Sequence, residues 1–220
     1  DWGSGPVPSS TSPPLSAGSY IVTIADANGC TITEGYTITE PSAISFTVGN
    51  SNVSCFGGSN GTTNINANGG SSGFTFLWNN SQTTATLTGL QAGTYCVTAT
   101  DINNCTVDTC ILVAEPNTLS IISFTNINVS CFSLCDAQST VTVSGGTIPY
   151  NYLWGDGQTT NIATGLCASV HSVTITDDNG CTIDGDSTIS QPALLQTSLT
   201  VDSISCAGGS DGTITAIPTG

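Results

Sequence analysis

Ten thiols, fifteen carboxylates and a single imidazole are the side chains of this 220-residue chain that suit chemistry. Any serine-type triad must use His171, since only an imidazole relays a proton between hydroxyl and carboxylate near neutral pH. Val170 and Val173 flank it, so it reads as a core or half-buried strand residue, and no catalytic residue is assigned. Asp156, Asp177 and Asp178 carry the hard oxygen donors that suit calcium. Asp and Asn are also turn formers, and no EF-hand spacing accompanies these three, so no cofactor or metal is expected. The cysteines form no zinc-finger spacing with histidine. They fit disulfides made in an oxidising compartment, which predicts a secreted chain, extracellular or at the cell surface.

Lysine and arginine are absent, the formal net charge is −15, and only 7% of residues are charged. Without cations there is nothing to neutralise phosphates, which excludes nucleic acid as a partner. Schiff-base, P-loop and polybasic-membrane chemistry fall for the same reason. No apolar run approaches the length of a transmembrane helix, so membrane insertion is not expected. Ser and Thr make up about 29% of the chain, with Val, Ile, Gly and Asn common. That composition favours strands and turns over helix and predicts an all-β protein.

The elements that must position these residues repeat. Trp2, Trp78 and Trp154 recur every 76 residues; Cys55, Cys131 and Cys206 recur at 76 and 75; Cys30, Cys105 and Cys181 at 75 and 76; Pro41, Pro116 and Pro192 follow suit. Alignment gives a C-terminal part of a repeat at 1–41, whole repeats at 42–116 and 117–192, and an N-terminal part at 193–220. Two explanations stay open: a window on a longer tandem array, or half-repeats that complete each other between neighbouring subunits. Period-two alternation places Phe74, Phe76 and Trp78, and Tyr150, Tyr152 and Trp154, on inward faces. Tyr20, Val22 and Ile24 form a further such face, as do Tyr95, Val97 and Ala99, and His171, Val173 and Ile175. About seven short strands in some 76 residues predict an immunoglobulin-like Greek-key β-sandwich, stapled by disulfides and repeated in tandem.

Cys55-Phe56-Gly57-Gly58-Ser59-Asn60-Gly61, Gly69-Gly70, Trp78, Gly89-Leu90-Gln91-Ala92-Gly93-Thr94-Tyr95, Asp101-Ile102-Asn103-Asn104-Cys105 and Glu115-Pro116 resemble the SprB repeat. The next copy matches through Gly145-Gly146, Pro149-Tyr150, Trp154, Gly165-Leu166, Asp177-Asp178-Asn179-Gly180-Cys181 and Gln191-Pro192. It departs at Cys135, where the family pattern has Ser or Gly, and at His171, where the other copies have Tyr. The resemblance implies a building unit of very large surface adhesins of gliding bacteria, without catalytic residues to carry over.

The shared cysteines suggest one bridge per repeat, Cys55 with Cys105 and Cys131 with Cys181. Cys96 and Cys110 fall opposite each other on a hairpin centred near Asn103, and Cys135 with Cys167 takes the leftover pair. Cys30 and Cys206 are left as inter-repeat or inter-subunit cysteines. Asn52, Asn60, Asn79, Asn104 and Asn128 sit in N-x-S/T sequons, and Ser203 and Ser187 follow an aspartate in sites resembling acceptors of the bacteria that carry the repeat. These are the possible glycosylation positions. The sequence predicts a non-enzymatic structural protein: a surface fibre, filament or adhesin stalk whose partners are copies of itself or neighbouring repeats, and covalent glycans. The alternative is a glycan-binding adhesin module or an accessory repeat of a larger secreted enzyme.

Overall fold

The computed structural model describes residues 11–220, so Trp2 lies outside the described residues. Sixteen strands and no helix occur among them. They begin with a hairpin, β1 (Gly18–Ala25) and β2 (Thr31–Ile38). Six strands follow: β3 (Ser45–Ser51), β4 (Gly61–Asn68), β5 (Thr75–Trp78), β6 (Thr86–Leu90), β7 (Gly93–Thr100) and β8 (Thr106–Val113). The same pattern returns as β9 (Ser120–Ile127), β10 (Ala137–Ser144), β11 (Asn151–Trp154), β12 (Ile162–Leu166), β13 (Val170–Thr176) and β14 (Thr182–Thr188). The last pair is β15 (Gln196–Asp202) and β16 (Thr213–Thr219).

The chain forms two compact units. One holds the chain up to Gly49 with Thr63–Leu87 and Thr94–Ile111; the other holds Asn50–Thr62, Thr88–Gly93 and Leu112–Gly220.

In the second unit, β12-β10-β9 form one antiparallel sheet and β11-β13-β14 the other. This is the A-B-E and C-F-G order of an immunoglobulin sandwich with strand D omitted. The earlier six strands take the same orders, β3-β4-β6 and β5-β7-β8. The expectation of seven strands is corrected to six because β11 and β12 are joined by a tight turn. Trp154 N–H donates to Gln158 O, Gly157 N–H donates back to Trp154 O, and the Asp156 carboxylate accepts from Gln158 N–H. The turn consumes the residues a fourth edge strand would need.

Alternation sets the core. On β10, Ala137, Ser139 and Val141 are buried while Gln138, Thr140 and Thr142 point outward. Ala137 and Val141 share one core with Trp154, Leu166, Val173 and Ile175. Burying each large aliphatic side chain contributes about 1.5–3 kcal/mol. Trp154 donates its indole N–H to Thr160 O at 2.9 Å, so its one polar atom costs nothing when buried. Phe124 meets its ring edge-on at 6.4 Å.

The paired glycines of each copy are explained by crowding. A Cβ on Gly145 would stand 1.9 Å from Thr118 O, and one on Gly146 would stand 2.7 Å from the Asp177 carboxylate; both residues have positive φ.

Candidate functional site

Among the described residues no pocket with converging reactive groups stands out; the features with consequences are the asparagine-cysteine turns, the loops that meet them, and the two hairpins.

Three aspartates build the turns in one way. The Oδ1 of Asp177 accepts from the N–H of Asn179 and of Cys181, while Oδ2 accepts from Thr147 N–H at 2.8 Å. Asp101 does the same with Asn103, Cys105 and Ser71, and Asp26 with Asn28 and Cys30. Asp101 and Asp177 are almost wholly buried. The N–H of Ser71, with those of Cys105 and Asn103, holds the Asp101 carboxyl below the usual aspartate range despite opposing desolvation. These carboxylate oxygens are already bound to N–H donors, which compete with a cation for the same lone pairs. Asp156 is likewise taken by Gln158, whose side chain and N–H lower its pKa. Asp178 stands exposed beside the Asp177 turn. Among the described residues, no group of three or more His, Cys, Asp or Glu could hold a metal ion.

Within the second unit, Cys55 is bonded to Cys181, 126 residues away. Beside the bond, Asn179 donates its side-chain N–H to Ser54 O at 3.0 Å and to Thr147 Oγ1 at 2.9 Å. This replaces the expected pairs Cys55–Cys105 and Cys131–Cys181. The reason is topological: the loop before β4 lies against the turn before β14 in the next copy, which puts Cys55 within bonding reach of Cys181. Cys105 and Cys131 are therefore free and exposed, as are Cys30 and Cys206. The structure joins Cys96 to Cys110 and Cys135 to Cys167.

The loop carrying Cys55 is stiffened by its neighbours. Asn60 Oδ1 accepts from Ser54 N–H, as Asp136 does from Ser130 and Asp211 from Ser205. Glu115 accepts from Gly57 N–H, and Gln191 from Ser133 N–H.

The single imidazole is half-buried. His171 Nε2 lies 2.9 Å from Cys167 O and 3.0 Å from Ser169 Oγ. A carbonyl only accepts, so Nε2 is the protonated nitrogen and is not placed to take a proton from Ser169. Trp78 and Trp154 are buried and therefore unavailable as stacking platforms for sugar.

Of the glycosylation candidates, Ser187 is contradicted. It is 1% exposed and its hydroxyl is shared with Ser139 and Asn126, so a sugar there would have to displace the core. Ser203 is exposed. Asn52, Asn60, Asn79, Asn104 and Asn128 are exposed too, but the amide nitrogens of Asn60 and Asn79 already donate to Ser54 Oγ and Thr94 O.

The two hairpins carry uncovered apolar side chains. On β1 and β2, Tyr20 stands opposite Tyr36, Val22 opposite Glu34 and Ile24 opposite Ile32. Ile24 is 62% exposed and Tyr36 61%. On β15 and β16, Val201 stands opposite Ile214 and Leu199 opposite Ala216, with Ile214 71% exposed. The sequence places Tyr20, Val22 and Ile24 on an inward face; in the structure Ile24 of that face is exposed, because no second sheet covers the β1–β2 hairpin.

The SprB repeat model matches residues 49–83 and 123–159, from the first strand of each copy through its tryptophan turn. Two stretches of this chain match the SprB repeat. SprB repeats are found in surface proteins, and three disulfides fit an extracellular chain. No curated protein matches the chain. Among solved structures, the C-terminal 282-residue fragment of intimin, in complex with the intimin-binding domain of the translocated intimin receptor, aligns at 13% identity with a TM-score of 0.33. The alignment covers 81% of this chain and 59% of that fragment, so the chain spans under two thirds of its length. No helix among the described residues is long and apolar enough to cross a membrane.

Proposed function

We propose that this segment is a non-enzymatic mechanical element of an extracellular fibre or adhesin stalk. The bond between Cys55 and Cys181 carries the reading. A bridge that only staples a small sandwich closes within it; this one joins the loop before β4 to the turn after β13. Tension transmitted along the SprB repeats then passes through a covalent link and not through strand pairing alone. The shorter bridges, spanning 14 and 32 residues, keep each hairpin or loop from unravelling. The absence of lysine and arginine removes the cleavage sites of trypsin-like proteases, which suits a protein exposed outside the cell.

Single-molecule stretching of the chain between handles at its two ends tests this. Under oxidising conditions the extension between Cys55 and Cys181 is expected to stay hidden at every force below bond rupture, and to be released on adding reductant. Full extension without reductant would refute the mechanical role. A selective signal on a glycan array would instead favour a binding module.

A further inference from the structure

We propose that Asn50 and Asn52 in one copy, and Asn126 and Asn128 in the next, form a load-bearing stitch between the first and last strands of each copy, and that the Cys55–Cys181 bond decides whether load reaches it. The inference rests on the mechanical reading and names the element that holds once that bond is open.

In each copy the first and last strands, β3 with β8 and β9 with β14, stand at the edges of different sheets. Edge strands leave backbone N–H and C=O groups without a ladder partner. Here asparagine side chains supply the partners. Asn50 Nδ2 donates to Leu112 O at 3.3 Å, Ala114 N–H donates to Asn52 Oδ1 at 3.1 Å, and Val53 N–H donates to Ala114 O at 2.9 Å. The next copy repeats the set. Asn126 Nδ2 donates to Thr188 O at 3.0 Å, Ser190 N–H donates to Asn128 Oδ1 at 3.0 Å, and Val129 N–H donates to Ser190 O at 3.4 Å. A carboxamide carries a donor and an acceptor as a peptide group does, so alternate asparagines carry one backbone's bonding across a gap that a direct ladder would not span. Asn126 is held at both ends, its Oδ1 accepting from Ser187 Oγ.

The four asparagine bonds all join residues 62 apart. A constant separation means that the two strands of each stitch run in the same direction. The chain enters a copy through one of them and leaves through the other, so tension draws them in opposite senses along one axis. Parallel strands loaded in this way slide, and the bonds across them resist together; strands drawn apart from one end would lose the same bonds one at a time. The stitch therefore sits where load enters and leaves, in the geometry that resists it best.

Cys55–Cys181 changes the route of the load. With the bond closed, tension arriving along β3 crosses from Cys55 to Cys181 and leaves along β14, bypassing a separation of 126 residues. Leu112, Ala114, Asn126 and Asn128 all lie in the bypassed stretch, so each stitch has one strand in the path and the other in slack chain. Both are then idle. A dithiol opens the bond by two exchanges: the first thiolate gives a mixed disulfide, the second closes the oxidised dithiol, and two protein thiols are released. The two copies then stand in series, and each stitch carries the full load.

The test is constant-force stretching of the full chain carrying Cys55→Ser and Cys181→Ser, with handles at its two ends. Two unfolding steps are expected, told apart by length because Cys96–Cys110 withholds 14 residues from the first copy and Cys135–Cys167 withholds 32 from the second. Adding Asn50→Ala and Asn52→Ala removes two ordinary hydrogen bonds and should shorten the loaded lifetime of the first copy about tenfold, leaving the second unchanged. Asn79→Ala is the control. It removes a bond of the same kind, Asn79 Nδ2 to Thr94 O at 3.1 Å, from strands by which the chain neither enters nor leaves the copy. That variant should lose resistance to denaturant yet change the loaded lifetime less than about twofold. Where the serine background does not fold, wild type stretched in a dithiol takes its place. Equal shortening by Asn79→Ala and by the asparagine pair, or no shortening of the first copy, would overturn the proposal. The mechanical reading is tested on oxidised wild type, in which neither stitch is loaded, so the two stand or fall separately.

Discussion

Removing the long bridge is the sharpest perturbation of the mechanical reading. The double variant Cys55→Ser with Cys181→Ser deletes one covalent link and leaves no new free thiol. The bond spans 126 residues, but the separations of 14 and 32 closed by the other two bridges lie inside that loop and leave a flexible path of about 80 residues. In the chain-entropy account, a loop of about 80 residues costs the unfolded state about 4.5 kcal/mol at room temperature. With a guanidinium dependence of about 4 kcal/mol per molar for a chain of this size, the midpoint should fall by about 1 M. Trp78 and Trp154, both buried, give the fluorescence signal. Equilibrium unfolding of wild type and variant under identical oxidising conditions is the assay. A shift under about 0.2 M would refute the reasoning, since the link would then constrain nothing that the folded chain does not already hold.

Other expectations follow from the core and the turns. Ser139→Ala leaves the Ser187 hydroxyl with Asn126 alone and should cost about 1–2 kcal/mol in a denaturant titration, with Ser139→Ala and Ser187→Ala together costing less than the sum of the two. Trp154→Ala removes the largest side chain of its sandwich and strands the Thr160 carbonyl; a loss of about 3–5 kcal/mol is expected by the same measurement. Asp101 has its folded pKa depressed, so its stabilisation is present above the ordinary aspartate range and is lost as the pH falls through the lower folded value. Thermal melts followed by circular dichroism from pH 6 down to about 2 should therefore show a shallower acid decline in Asp101→Asn than in wild type, starting from a lower plateau.

Much of this protein was legible in its residues. The all-β class followed from β-branched composition and alternation, and the inward faces at Val97, Ala99, Val173 and Ile175 from period two alone. Those are local properties: a strand's faces depend only on its own sequence. Gly69-Gly70 and Gly145-Gly146 stood out in the pattern, but the carbonyl and carboxylate that exclude a Cβ there come from residues distant in sequence. The six-strand count depended on a turn at Asp156–Gln158 whose closure only coordinates show.

What the sequence determined by itself was the repeat, its strand content and its chemical poverty, because spacing and composition need no third dimension. What tertiary structure decided was which copy each cysteine serves. Two cysteines bond only when folding brings their Cα atoms within about 7 Å, and equal spacing in every copy leaves partners within a copy and between copies equally available on paper. The fold places the loop of Cys55 beside the turn of Asn179 and Cys181 and leaves Cys105 and Cys131 exposed, turning two expected staples within copies into one link between them. Ser187 makes the same point: an acceptor by its neighbours in sequence, it became a core residue once β10 and β14 closed over it.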